Sequence, residues 1–218
     1  MPHAPNSPLL YLITNGETSG ATTVRSAEFA RLVALVRAAT RAGVSLVQLR
    51  EKNLSARVLY ELAARAARFT RGTGTRLLVN DRADIARAAG ADGVHLTARS
   101  LGAAVVRRAF GEEFLIGVSA HSPAEAREAR DGGANFALYG PIFDTPSKRA
   151  YGPPLGLERL AEVARALAPF PVLAVGGVTR ANFAHALASG ARGVAAVRLF
   201  ADAESLPEVV REMTGTEL

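Results

Sequence analysis

The amino-acid sequence predicts an α/β protein, a parallel eight-stranded (β/α)8 TIM barrel with residues 1–218 as one domain. Eight short runs rich in apolar and β-branched residues recur along the chain, each followed by a longer segment with helical signals. Runs so nearly continuous suit parallel strands covered on both faces. A length of 218 residues holds eight such units at the compact end of the barrel range. A doubly wound open sheet is the runner-up. It is disfavoured because Thr14-Asn15-Gly16 follows the first run, where a GxGxxG turn is expected.

The strands are read at 9–13 (LLYLI), 44–50 (VSLVQLR), 76–80 (RLLVN) and 93–96 (GVHL) in the first half. In the second half they are 114–119 (FLIGVS), 135–140 (NFALYG), 171–175 (PVLAV) and 193–197 (GVAAV). Between them, Phe29, Leu32, Val33 and Val36 share one helical face, as do Leu59, Leu62, Ala63, Ala66 and Phe69. Ser122-Pro123-Ala124-Glu125 is a capping box with Pro at the first helical position. Gly43, Gly90, Gly133 and Gly190 each stand where a helix ends before the next strand. The longest irregular stretch, 140–155, is polar and of the length that usually carries function.

Composition narrows the classes of function. The chain has no cysteine, which removes disulfides, thiolate nucleophiles and cysteine-held metals. No apolar run reaches the length of a membrane span and no signal segment opens the chain, so a cytoplasmic protein is expected. A net charge of +6 invites nucleic acid as a partner. The arginines are dispersed along helices, however, as at Arg57, Arg65, Arg68, Arg71, Arg107 and Arg108, and no aromatics interleave with them. Most of them are read as solvated helix-face residues, and a small anionic ligand is the better use of the positive field. Apolar faces on barrel helices make a homodimer an expectation.

In a barrel, working residues cluster at the carboxyl ends of the strands. There the sequence places Gln48, Arg50 and Lys52, which period-two alternation puts on one side, then Asn80 and Asp81, Ser119 and His121. Thr145, Ser147 and Lys148 follow in the long loop, then Gly176-Gly177 and finally Val197-Arg198. Cations, hydroxyls and glycine backbone recurring at six strand ends point to a rim that grips two anionic groups, with Gly-Gly at the usual place for a phosphate.

The segments QLREK, VNDR, GVHL, IGVSAHS, GPIFDTPSK and AVGGV, in this order and spacing over roughly residues 9–200, resemble the thiamine phosphate synthase family and its TenI-type thiazole tautomerase relatives. The resemblance implies a transferase that joins hydroxymethylpyrimidine diphosphate to thiazole phosphate and releases pyrophosphate. By that likeness Arg50, Lys52 and Lys148 stabilise the departing diphosphate, Asn80 holds it, and Gln48 and Ser119 hold the pyrimidine. Asp81 becomes the Mg²⁺ ligand, and Thr145, Ser147, Gly177, Val197 and Arg198 fall on the thiazole-phosphate side.

Two positions depart from the family pattern. Ser100 stands where a second magnesium-binding aspartate is usual, and Arg198 where a small hydroxyl residue is usual. Both lean toward the tautomerase, for which His121 is the acid/base candidate. Gln48 and the complete cation set lean toward the synthase, the reading adopted. Ser100 also permits a non-catalytic thiazole-phosphate-binding regulator, whereas an unrelated sugar-phosphate epimerase would have no use for Gln48, Arg50 and Lys52 together. His95 is read as a packing or backbone-bonding residue, and His3 and His185 are given no role.

Overall fold

The computed structural model describes residues 7–146, 149 and 152–215. Its strands are β1 (Leu9–Ile13), β2 (Leu46–Leu49), β3 (Arg76–Asn80), β4 (Gly93–Leu96), β5 (Leu115–Ala120), β6 (Phe136–Tyr139), β7 (Val172–Val175) and β8 (Gly193–Ala196). They follow one another in sequence order around a closed barrel. The helices are α1 (Ala27–Ala42), α2 (Ala56–Thr70), α3 (Ala83–Ala89), α4 (Ala103–Phe110), α5 (Pro123–Asp131), α6 (Gly156–Leu167), α7 (Phe183–Ala188) and α8 (Leu206–Thr214). No helix among the described residues is long and apolar enough to cross a membrane.

The chain divides into two compact units, one ending at Val94 and resuming at Val197, the other His95–Ala196. In the first unit β1, β2 and β3 pair in parallel, with Ile13 opposite Gln48 and Leu49 opposite Val79. Every residue of β1 and β2 is buried, because α1 and α2 cover strands that have no solvent face. The apolar stripe of α1 buries Phe29, Leu32, Val36 and Ala39, while that of α2 buries Leu59, Leu62, Ala63, Ala66 and Ala67. Val33 and Phe69, assigned to these stripes by spacing, lie at their half-buried margins. Arg76 pairs with Asp92 at 3.0 Å, and the same carboxylate accepts the Leu77 N–H at 2.8 Å, locking the start of β3.

In the second unit β5 through β8 pair in parallel, with Ser119 opposite Leu138, Tyr139 opposite Ala174 and Val175 opposite Ala195. Half of the expected capping box forms: Ser122 Oγ accepts the Glu125 N–H, and Pro123 opens α5. The Glu125 carboxylate reaches back one residue further than the motif requires, to the His121 N–H at 2.8 Å.

Arg107 is an exception to the reading of most helix arginines as solvated. Its guanidinium donates to the carbonyls of Gly111, Glu112, Phe114 and Gly133 and to Asn135 Oδ1. It therefore staples the turn after α4 to the turn after α5.

Candidate functional site

Strand β2 stops at Leu49, and the geometry changes there. Gln48 is buried and its Nε2 donates to the Tyr11 hydroxyl at 2.9 Å. Burial drives the Tyr11 phenol far above its usual range, with the Gln48 contact acting weakly in the opposite sense. The phenol is therefore a neutral, fixed partner that sets the Gln48 amide. Beyond Leu49 the alternation expected for Gln48, Arg50 and Lys52 ends. Arg50 is half-buried, Lys52 lies exposed in a turn, and Glu51 between them is buried. The physical reason is that period two belongs to the extended strand, and residues 52–53 already turn.

Because Leu49 stands opposite Val79, the next residues of the two strands, Arg50 and Asn80, are neighbours on adjacent strand ends. Asn80 is buried, and its Oδ1 has no hydrogen-bond partner among the described residues. Asp81 follows with φ of 64°, the left-handed region that aspartate tolerates better than most residues. This turn leaves its side chain exposed at the end of β3. Arg82 is engaged elsewhere. It makes a bidentate pair with Asp84 at 2.9 and 2.6 Å, which lowers the Asp84 carboxyl and raises the guanidinium. Val197, half-buried, leads into a short 3₁₀ turn, Arg198–Phe200; Phe200 anchors it in the interior and Arg198 is exposed.

In the second unit Ser119 sits near the end of β5, and its hydroxyl pairs with His95 Nε2 at 2.9 Å. His95 is buried and tilts against the Phe136 ring, so it packs as expected and bonds a side-chain hydroxyl. His121 lies exposed before α5, with Nδ1 3.4 Å from Glu125 Oε2.

The start of the long loop is not free chain. Ile142 N–H donates to the Val175 carbonyl at 2.9 Å and Phe143 N–H to the Gly176 carbonyl at 3.0 Å, so residues 142–143 lie on the end of β7. Gly177, at φ of 67°, is required there: a Cβ would come 2.5 Å from the Asp144 carbonyl oxygen. Gly176-Gly177 thus has a packing reason beside the phosphate reading. Thr145 is buried, and an exposed Arg149–Asp144 pair at 2.6 Å, which lowers the Asp144 carboxyl, joins the residues on either side of it. Ser147 and Lys148 lie outside the described residues. Ser100 is committed to its own loop, its Oγ accepting the Thr97 N–H at 2.7 Å.

Among the described residues no three His, Cys, Asp or Glu side chains gather as a metal cluster. What the end of β3 offers a cation is an exposed carboxylate, Asp81, next in sequence to Asn80, whose buried Oδ1 has no partner among the described residues. Hard oxygen donors of this kind fit Mg²⁺ completed by phosphate oxygens and water, and do not make a closed protein cage.

A family model described as thiamine monophosphate synthase matches residues 10–200. The chain belongs to that family. It is 48% identical over 188 residues to a Geobacter sulfurreducens protein provisionally named thiamine-phosphate synthase, covering 86% of this chain and 84% of that one. It is 40% identical over 197 residues to the thiamine-phosphate synthase of a Roseiflexus species, covering 90% and 83%. Among solved structures, thiamine phosphate pyrophosphorylase from Pyrococcus furiosus superposes with a TM-score of 0.76 at 29% identity, covering 94% and 96%.

Proposed function

We propose that this chain is a thiamine-phosphate synthase, joining hydroxymethylpyrimidine diphosphate to thiazole phosphate with release of pyrophosphate. The observation that carries the reading is the register of β2 and β3. It sets Arg50 beside Asn80, next to a buried, oriented Gln48 and an Asp81 turned outward by its left-handed backbone. A cation, a fixed amide and a hard carboxylate are what an aromatic amine carrying a diphosphate asks for. The names of relatives at 40–48% identity support the same reaction.

In this reading the bond from the pyrimidine methylene to the diphosphate breaks first. The electron pair leaves with the diphosphate, and the thiazole nitrogen then closes on the methylene cation. Charge grows on the leaving oxygens, so the groups that matter are donors matched to that charge rather than a strong base. Arg50, Lys52 and Lys148 supply them, and Asn80 donates to the same oxygens. Gln48, held by Tyr11, and Ser119, held by His95, orient the ring. Thr145, Ser147, Gly177, Val197 and Arg198 receive the thiazole phosphate. Mg²⁺, held by Asp81 and Asn80 Oδ1, would neutralise diphosphate charge when bound.

The experiment combines both substrates with Mg²⁺ and measures thiamine phosphate. Wild type forms product, and Asp81→Asn, which keeps the left-handed turn and removes the charge, lowers turnover roughly 100-fold. Conversion of the thiazole carboxylate isomer that is lost in His121→Ala, with no thiamine phosphate, replaces this reading by the tautomerase. Thiazole phosphate binding without turnover replaces it by the regulator.

A further inference from the structure

Glu51 is a carboxylate only 3% exposed, lying in sequence between the two cations assigned to the diphosphate. Burying an anion is costly unless it is fully hydrogen-bonded, and Glu51 has no ion pair among the described residues. Its donors come instead from the loop after β1. Thr14 Oγ1 donates to Oε1 at 2.6 Å, the Gly16 N–H to the same oxygen at 3.2 Å, and Thr18 Oγ1 to Oε2 at 2.7 Å.

The same loop is tied to the residues on either side of Glu51. Thr14 N–H donates to the Gln48 carbonyl at 3.0 Å, Arg50 N–H donates to Thr14 Oγ1 at 2.8 Å, and Asn53 Nδ2 donates to the Thr18 carbonyl at 3.0 Å. Thr14 is the relay: its hydroxyl donates a hydrogen bond to Glu51 and accepts one from the backbone N–H of Arg50. Gly16, at φ of 75°, lets the loop lie against Arg50, since a Cβ there would come 3.2 Å from the Arg50 carbonyl oxygen.

We infer that Glu51 is a positioning residue for the diphosphate: it clamps the 14–18 loop onto the end of β2 and thereby fixes Arg50. The inference rests on the synthase reading, in which Arg50 meets the leaving group. Glu51 touches neither substrate and acts through Thr14. A buried anion suits this task because charge-assisted hydrogen bonds are stronger and shorter than neutral ones, so the strand end is held stiffly where no regular ladder continues.

The consequence is selective. Loosening the clamp displaces the group that binds growing charge on the diphosphate, and a shift of about 1 Å in such a group costs on the order of 100-fold in rate. The clamp's hydrogen bonds run within residues 14–53, apart from the residues assigned to the thiazole phosphate.

The test uses Glu51→Gln, which keeps shape but turns one acceptor into a donor facing a threonine hydroxyl, together with Thr18→Val and its conservative counterpart Thr18→Ser. Expected for Glu51→Gln are a fall in kcat of about 10- to 100-fold, weaker pyrophosphate inhibition, and a KM for thiazole phosphate within about twofold of wild type. Thr18→Val moves in the same direction, and Thr18→Ser restores activity. In an Arg50→Ala background Glu51→Gln has little further effect, because residues acting as one unit are not additive.

Full activity of a folded Glu51→Gln protein overturns the inference. So does an equal loss in the Arg50→Ala background, or a parallel rise in both KM values with a lowered melting temperature. A wild type that makes no thiamine phosphate sinks the synthase reading and the inference with it, whereas an active wild type matched by Glu51→Gln sinks the inference alone.

Discussion

Replacing Arg107 by alanine removes a side chain that makes six hydrogen bonds to five acceptors, at distances from 2.7 to 3.0 Å. The side chain is 11% exposed, so most of these acceptors lose a partner that water replaces only in part. Each bond to a charged donor is worth about 1.5–3 kcal/mol where it is sheltered. Several of the carbonyls here border solvent, and relaxation returns much of the sum, so we expect a net cost of about 3 kcal/mol. The Glu112 carboxylate, 3.8 Å away and 89% exposed, adds little. For a protein of this size 1 kcal/mol moves Tm by about 2–4 °C, so Arg107→Ala melts roughly 6–12 °C below wild type. Arg107→Lys recovers little, because one ammonium cannot span carbonyls on two separate turns.

The neighbouring Arg108 is the control: it is exposed, and Arg108→Ala changes stability by no more than about 0.5 kcal/mol. The assay is a thermal melt backed by urea unfolding of the three variants. If Arg107→Ala melts within about 2 °C of wild type, or if Arg108→Ala costs as much, the staple between the two turns is not a stabilising element and the reasoning fails.

Gly177→Ala combines a left-handed backbone with a Cβ 2.5 Å from the Asp144 oxygen, so it costs at least about 2 kcal/mol and lowers Tm; a wild-type melt disproves the packing role of this glycine. Of the four tyrosines, Tyr11 and Tyr139 are held above the ordinary value of 10.0, both chiefly by burial. Above about pH 10 the unfolded chain therefore releases protons that the folded chain keeps, and stability falls as pH rises. Urea midpoints from about pH 9 to about pH 11 should show that fall, with a shallower slope in Tyr11→Phe; equal slopes would show that Tyr11 is not the shielded group.

Seven of the eight strands were legible to within a residue at each end, because a strand buried on both faces writes itself as a short apolar run, and the helices between them as stripes of period 3.6. In β2 the run overreached: Val44 and Ser45 precede the strand and Arg50 follows it. Val44 is buried but lies outside the strand, so hydrophobicity reported burial and not ladder. Positions of the candidate side chains at strand ends were equally readable, since Gln48, Asn80, Ser119 and Gly177 need only the strand boundary to be placed. Their partners were not. Nothing in the local sequence tells that Tyr11 bonds Gln48 or that His95 bonds Ser119, because those contacts join residues 37 and 24 positions apart.

Glu51 shows most clearly why chemistry was harder to read than fold. In Arg50-Glu51-Lys52 an acidic residue between two cations has the composition of a solvated turn, and charge alone assigns all three to the surface. The inward direction of Glu51 is decided elsewhere, by hydroxyls at Thr14 and Thr18 that a sequence reading sees only as polar residues after β1. A buried charge becomes legible when its donors are counted, and here they reside on a different strand's loop. The cations keep an outward or marginal place because the anion between them has been satisfied from within, which is what leaves Arg50 available at the end of β2 beside Asn80.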